Sequence, residues 1–434
     1  MSILLRGRAH AILLAPGFVD AGFASLGGFA ASLYAARFFE AGQLGVFSLF
    51  MVMFPLLAQL PAQLVIVPAQ VFALDFAAAE RPRVLARSLP LALGVGITAT
   101  PLVWLVLVLA PEGRAADFVA FGVTTSLMVV LSPLQDHVRF VLHMAGRSPA
   151  AAVVSTAQFG LAAAAIIGLH LGGVPERWIP FLGLSIAKAG SLAFGLTLVR
   201  VRWTSAVPSW PGPGRLLKSG RLLLPAQLLP FVGMLGTAAI VARLASTEAL
   251  GAAEAARVVA APVLVVGVGL AQVLSPRVMS AARADRMDEV ASTIRLTVAA
   301  VLVLSLGYLA VFGWSHRLNV LEAAIPLAFS VGGLAAFRIV AAAATVIGAA
   351  PGAALLGIED NRGLLIASAV GFVLQLLLAV ALAASLEAHT VPAVQLVSAL
   401  VVGAVVLPRV PGLSSRLLRR PAVSGPPEEE PATP

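Results

Sequence analysis

Runs of about twenty apolar residues recur along this chain, divided by short breaks that carry Arg, Gly and Pro; this constrains the fold more than any single motif. A bilayer core needs about 20 apolar residues per helical crossing. Twelve stretches satisfy it: 11–37, 44–72, 88–110, 116–144, 149–171, 178–200, 221–243, 256–276, 291–313, 321–349, 363–386 and 391–408. Charged residues make up only 11% of the 434, against 59% hydrophobic, with a mean hydropathy of +0.98. Soluble domains run at about 25% charged. The expected fold class is therefore an all-α polytopic membrane protein. Pro55, Pro61, Pro133 and Pro326 are candidate kink sites in the longer spans.

The formal charge of +9 lies mostly in the short breaks, a pattern of membrane topology and not of a nucleic-acid groove. With the amino terminus cytoplasmic, that side collects Arg6 and Arg8, Arg81, Arg83 and Arg87, Arg139 and Arg147. The same side holds Arg200, Arg202, Arg215, Lys218 and Arg221, then Arg277, Arg283, Arg286 and Arg295, Arg362, and Arg409, Arg416, Arg419 and Arg420. The opposite side has only Arg37, Arg114, Arg177, Arg243, Arg257 and Arg317. The positive-inside rule then predicts a plasma-membrane protein with both termini cytoplasmic. The first apolar run is too long for a signal-peptide core and is read as a retained helix. Absence of Cys excludes disulfides and thiolate chemistry.

Residues 203–220 form the longest polar, Pro- and Gly-rich break, which divides the chain into two six-helix lobes, 1–202 and 221–408, before a basic then acidic disordered tail, 409–434. The lobes share short patterns. "ARFFEAGQLG" from Ala36 matches "ARLASTEALG" from Ala242 as Ala-Arg, six residues, Leu-Gly. "AQVFALDF" from Ala69 matches "AQVLSPRV" from Ala271. The offsets are 206 and 202 residues. An even number of spans per repeat predicts parallel lobes related by an axis along the membrane normal.

Three ionisable residues, one acid and two cations, stand out deep inside predicted spans. Asp20 lies roughly 14 Å into the first span, with Ala24, Gly27, Gly28 and Ala31 on its face. That face allows close approach of a helix or a ligand. Lys188 lies mid-span between Ser185 and Ser191, and Arg338 lies deeper toward the cytoplasmic side. Each has two readings: a structural polar contact within the bundle, or a cavity residue that meets cargo or a proton. One buried cation per lobe suits an anionic head group, which Arg meets with a planar fork. At the cytoplasmic end of span four, Asp136, His137, Arg139, His143 and Arg147 form either an interfacial charge patch or a cytoplasmic gate and cargo entrance. Enzymatic motifs are nearly absent. "SIAK" from Ser185 matches Ser-x-x-Lys but lacks companion elements, and no phosphate-binding loop or metal-ligand set is present. No enzyme, cofactor or metal is expected.

"SLGGFAASLYAARFFEAGQLGVFSL", "DHVRFVLHMAGR" (Asp136 to Arg147) and "RLLLPAQLLPFVGMLGTAAIVARL" resemble the polysaccharide-flippase branch of the multidrug/oligosaccharidyl-lipid/polysaccharide exporter superfamily. The resemblance implies a V-shaped bundle of two lobes around a central cavity, alternating access, and a polyprenyl-pyrophosphate-linked oligosaccharide or related precursor as cargo. It leaves the coupling ion open between H+ and Na+. Partners on this reading are the bilayer, the lipid-linked saccharide and glycosyltransferases or a polymerase of the same pathway. No nucleic acid is expected, and the chain is expected to be a monomer. Two alternatives stand beside it: a multidrug or cation antiporter of the same superfamily, and a membrane-embedded glycan polymerase or other enzyme. The antiporter calls for acidic residues that meet cationic drugs, and Asp20 is the single acid placed mid-membrane. The enzyme calls for a long catalytic loop on the outer side, which is absent.

Overall fold

The computed structural model describes residues 2–73, 76–77, 80–109, 115–199, 212–314, 332–358 and 360–418. Among the described residues its regular elements are all helices. The first half contains α1 (Ser2–Phe38), α2 (Ala41–Pro61), α3 (Val67–Ala73), α4 (Arg81–Ala99), α5 (Ala115–Met144), α6 (Ser148–Leu171) and α7 (Ile179–Val199). The second half contains α8 (Gly212–Leu244), α9 (Thr247–Arg283), α10 (Met287–Trp314), α11 (Gly332–Gly357), α12 (Asn361–Leu386), α13 (Thr390–Val406) and the short α14 (Leu413–Leu418). Ten stretches among the described residues are long and apolar enough to cross a membrane, and the last, Asn361–Arg409, holds both α12 and α13. Counting α12 and α13 separately and adding α1, the described residues hold twelve long helices, in rough agreement with the count that hydropathy predicts.

Proline accounts for the irregular turns. α2 ends at Pro61 and passes through a π-helical segment, Ala62–Ile66, before α3. A proline lacks the N–H that the regular ladder needs, and a wider turn absorbs the gap. α4 tightens into a 3-10 run, Thr100–Leu109, where Pro101 enters the helix. Pro326 lies outside the described residues, as do Arg114, Arg200, Arg202, Arg317, Arg419 and Arg420.

Two expected loops are partly helical. α8 begins at Gly212, inside the stretch read as a linker, and the rest of that stretch before Gly212 lies outside the described residues. The reason is amphipathic spacing: Leu216 is buried against Val65, Leu85 and Val138, while Arg215 stacks over Phe72 at 4.8 Å. The start of the tail is likewise anchored, with Val410 and Leu413 buried and Arg416 bridged to Asp288 at 3.1 Å.

The buried core shows how the halves meet. Where α1 finishes, the distal end, one continuous cluster holds Ala31, Phe47 and Phe50 from the first half with Val241, Val258 and Leu334 from the second. Phe47, Phe121 and Phe181 pack there at 4.8–5.9 Å between ring centroids. Where α1 begins, the proximal end, the cores separate. Val65, Leu85, Leu134 and Val141 form one with Leu216; Val278, Met287, Ile294 and Leu355 form another. The buried core is thus shared between the halves at the distal end and divided into two at the proximal end, where the first turns of α8 still seat Leu216 and Gly220 against the first half.

The seam carries the repeat directly. A methyl group at Gly45 would run into the Thr247 carbonyl, and one at Gly251 would run into the Ala41 carbonyl. Gly45 and Gly251 are the terminal glycines of the two matched Leu-Gly patterns, and Ala41 and Thr247 are matched to one another. Each half thus presents the same glycine to the same position of its partner, a self-complementary contact of two-fold kind. Ser48 and Glu254, separated by the same 206 residues, hydrogen bond across it.

Candidate functional site: two buried charge clusters

The first cluster lies within the first half. Asp20 on α1 is 3% exposed. Arg139 on α5 grips it with both arms of its guanidinium, Nη2 to Oδ2 at 2.6 Å and Nε to Oδ1 at 2.9 Å. Ser155 on α6 donates to Oδ1 at 2.5 Å, and His143 Nε2 lies 3.0 Å from Oδ2. Four contacts from three residues on two helices, α5 and α6, saturate the carboxylate, which makes this buried charge tolerable. Of the small face predicted around Asp20, Gly27 lies against Gln158, Ala162 and Leu184, while a methyl group at Gly28 would meet only open space.

Lys188 on α7 joins the same cluster. Its ammonium donates to Gln135 Oε1 at 3.0 Å and to Asp136 Oδ1 at 3.5 Å. Asp136, half exposed, also accepts from Arg139 Nη1 at 3.0 Å. Two carboxylates and two cations are therefore closed upon themselves. Asp20 pairs with Arg139, and it reaches Lys188 only through Arg139 and Asp136. His137, read with this group at the helix end, points the other way. It is buried against α4, with Nε2 at 3.1 Å from Ser88 Oγ and 2.9 Å from the Leu85 carbonyl. Arg147 leaves the group as well and donates to the Leu198 carbonyl at 2.5 Å, tying the α5–α6 turn to the end of α7.

The second cluster lies at the seam and holds Arg338, which the sequence places deeper toward the cytoplasmic side but which sits near the start of α11, because that helix begins only at Gly332 among the described residues. Glu254 on α9 is buried and receives Arg257 through two bonds, Nη2 to Oε1 at 2.6 Å and Nε to Oε2 at 2.8 Å. Ser48 on α2 donates to Oε2 at 3.3 Å, and Arg257 Nη2 donates to Ser32 Oγ on α1 at 2.9 Å. Arg338 on α11 lies within the electrostatic reach of both Glu254 and Arg257. It is 4% exposed, and its Nε and Nη1 have no hydrogen-bond partner. Arg338 therefore does not share a cluster with Asp20 and Lys188. Its neighbours come from α9, which the hydropathy had begun only at residue 256, leaving Glu254 in a loop.

An apolar cavity of about 190 Å³ opens between α9, α10 and α11, toward the proximal end from Arg338. Leu264, Gly267, Val278, Ile294, Val346 and Ala349 line it. Among the described residues no group of three His, Cys, Asp or Glu side chains could hold a metal ion.

Comparison with solved structures defines the class of fold: the chain adopts the architecture of transporters of the MOP superfamily. The MATE multidrug transporter DinF-BH in complex with R6G is similar with a TM-score of 0.66, at 14% identity, over 94% of this chain and 96% of that one. The inward-facing conformation of a multidrug resistance MATE family transporter of the MOP superfamily is similar with a TM-score of 0.64, at 16% identity, over 90% and 96%. A MOP superfamily transporter from Pyrococcus furiosus, described by a reversed polarity of its binding pocket that suggests a different function, is similar with a TM-score of 0.60, at 15% identity, over 93% and 95%. No protein-family model and no curated sequence matches the chain. The likeness is one of fold, over nearly the whole of each chain.

Proposed function

We propose that this protein is a membrane transporter that moves an amphiphile with an anionic head group by alternating access between its two lobes. The cargo class is a polyprenyl-pyrophosphate-linked oligosaccharide or a related polysaccharide precursor. The observation that carries the reading is the charge of the seam: Arg338 is buried with two guanidinium nitrogens unpartnered. An unmet buried donor is costly, and such groups call for an explanation by a ligand, ion or water. A pyrophosphate offers several acceptor oxygens to a planar fork.

A cationic drug would call for an available carboxylate. Asp20 and Glu254 are both held in two-bond grips by arginines, which disfavours the multidrug reading that several fold neighbours carry in their descriptions. Separation of the cores at the proximal end supports that end as the cargo entrance, with Asp136, Arg139 and Lys188 along the first lobe. On the charge distribution this end is cytoplasmic, both termini lie on that side of a plasma membrane, and glycosyltransferases deliver the cargo there. The lobes, 1–202 and 221–408, are the moving bodies. The reading includes no catalytic step.

Purified protein in proteoliposomes tests this. Translocation of a polyprenyl-pyrophosphate-linked saccharide, lost in Arg338→Ala and absent for a cationic dye, is the expected outcome. Dye transport that survives Arg338→Ala, with no saccharide movement, would replace this reading by the multidrug one.

A further inference from the structure

The seam cluster has two guanidinium groups and one carboxylate. Glu254 is bound by Arg257, and Arg338 on the next packed helix is left with unmet donors while within the field of both. The same pair also ties the halves together. Glu254 accepts from Ser48 of α2, and Arg257 donates to Ser32 of α1, so two side-chain hydrogen bonds from α9 cross the distal seam. Arg257 Nη2 is shared between Ser32 and Glu254. A guanidinium that turns toward a ligand at Arg338 therefore withdraws from both.

We propose that Glu254 is an internal stand-in for the transported anion: a head group reaching Arg338 competes with Glu254 for Arg257, and the withdrawal of Arg257 breaks its hydrogen bond to Ser32, one of the two that hold the halves together at the distal end. The proposal rests on the reading that the cargo carries an anionic head group. It makes cargo arrival the event that unlocks the closed end, because a ligand moves a conformational equilibrium only by binding its two states unequally. The backbone geometry of the seam permits such parting. α2 and α9 meet there through Gly45 and Gly251, with backbone against backbone and no side chain interlocked at those two positions.

The chain lacks Cys, so paired labels can be placed without prior substitution. Leu171 at the end of α6 and Leu244 at the end of α8 are exposed on opposite halves of the distal end. Spin labels on Leu171→Cys and Leu244→Cys report its opening. Full-length protein in nanodiscs is measured with and without inorganic pyrophosphate as the probe, and pyrophosphate binding is measured in parallel. The expected result is a longer label distance on pyrophosphate addition in the parent and no response in Arg338→Ala. Glu254→Gln should show the longer distance without pyrophosphate. Ser32→Ala combined with Ser48→Ala, which leaves every charge in place, should lengthen the distance as well and serves if Glu254→Gln does not fold. Pyrophosphate that binds through Arg338 with no change in distance, in variants that also keep the parental distance, overturns the proposal and leaves the cargo reading intact. Lengthening in Glu254→Gln with no pyrophosphate binding by any form contradicts the cargo reading and, with it, the role of Glu254 as a stand-in.

Discussion

The cluster around Asp20 and the cluster around Glu254 use the same chemistry, a buried carboxylate gripped by a two-pronged arginine and a serine hydroxyl. They differ in what surrounds that grip. Around Asp20 a second carboxylate, Asp136, receives the remaining cation, so the first half closes its charges internally. Around Glu254 the additional charge is Arg338, a second cation, and two of its nitrogens stay unmet. A closed cluster fits a scaffold that must hold three or four helices together. An excess cation fits a place where something else arrives. The two also differ in location: one is contained within a lobe and the other binds across the pseudo-two-fold seam.

Disrupting the closed cluster should have the largest effect on stability. Arg139→Ala leaves Asp20 as a buried charge without its main partner, and loss of one member of a buried pair costs about 3–5 kcal/mol. A strong fall in melting temperature in detergent is expected; an unchanged value would show that Asp20 is not held by this pair.

The seam responds to size more than to charge. Gly45→Val and Gly251→Val should each cost about 1–3 kcal/mol by overpacking, and should cost nearly the same because the two contacts are equivalent. A thermal-shift comparison with one variant neutral and the other severe would break the two-fold account of the seam.

Arg338→Met should have the opposite sign to Arg139→Ala. Removing buried donors that have no partner recovers about 1–3 kcal/mol, so the variant should melt higher while losing pyrophosphate binding. Lower stability would mean that Arg338 is structural. Ser48→Ala is the mildest change, at about 0.5–1.5 kcal/mol, because its bond to Glu254 is long at 3.3 Å. Chemical denaturation of this variant beside Ser155→Ala, which should lose more because its bond to a carboxylate is short, 2.5 Å against 3.3 Å, sharpens the contrast between the clusters.

Much of the fold was legible because bilayer thickness imposes a length that hydropathy reads well. The Ala-Arg…Leu-Gly pattern was legible for a more specific reason: its glycines are the positions where α2 and α9 must touch. The seam cluster was not. A hydropathy window begins α9 at residue 256, since "TEALGAAEA" is only weakly apolar, and so it places Arg257 at the membrane surface and Glu254 in a loop. The signal present was the i, i+3 spacing of Glu254 and Arg257 just after Gly251, which puts a charge pair beside the helix-contact glycine. Arg139 does lie near the end of α5, as predicted, but its partner was not legible, because no spacing rule links it to Asp20, which is 119 residues away. The partners of Arg338 could not be read because they are contributed by a different helix. The three mid-span charges, Asp20, Lys188 and Arg338, are buried, and their neighbours divide them between two clusters.

The most direct test of the account is translocation of a labelled polyprenyl-pyrophosphate-linked saccharide in proteoliposomes, comparing parental protein with Arg338→Met. The account predicts that the parent moves the saccharide and that the variant, folded and at least as stable, does not. Equal rates in the two would contradict the claim that the unpartnered guanidinium of Arg338 receives the head group.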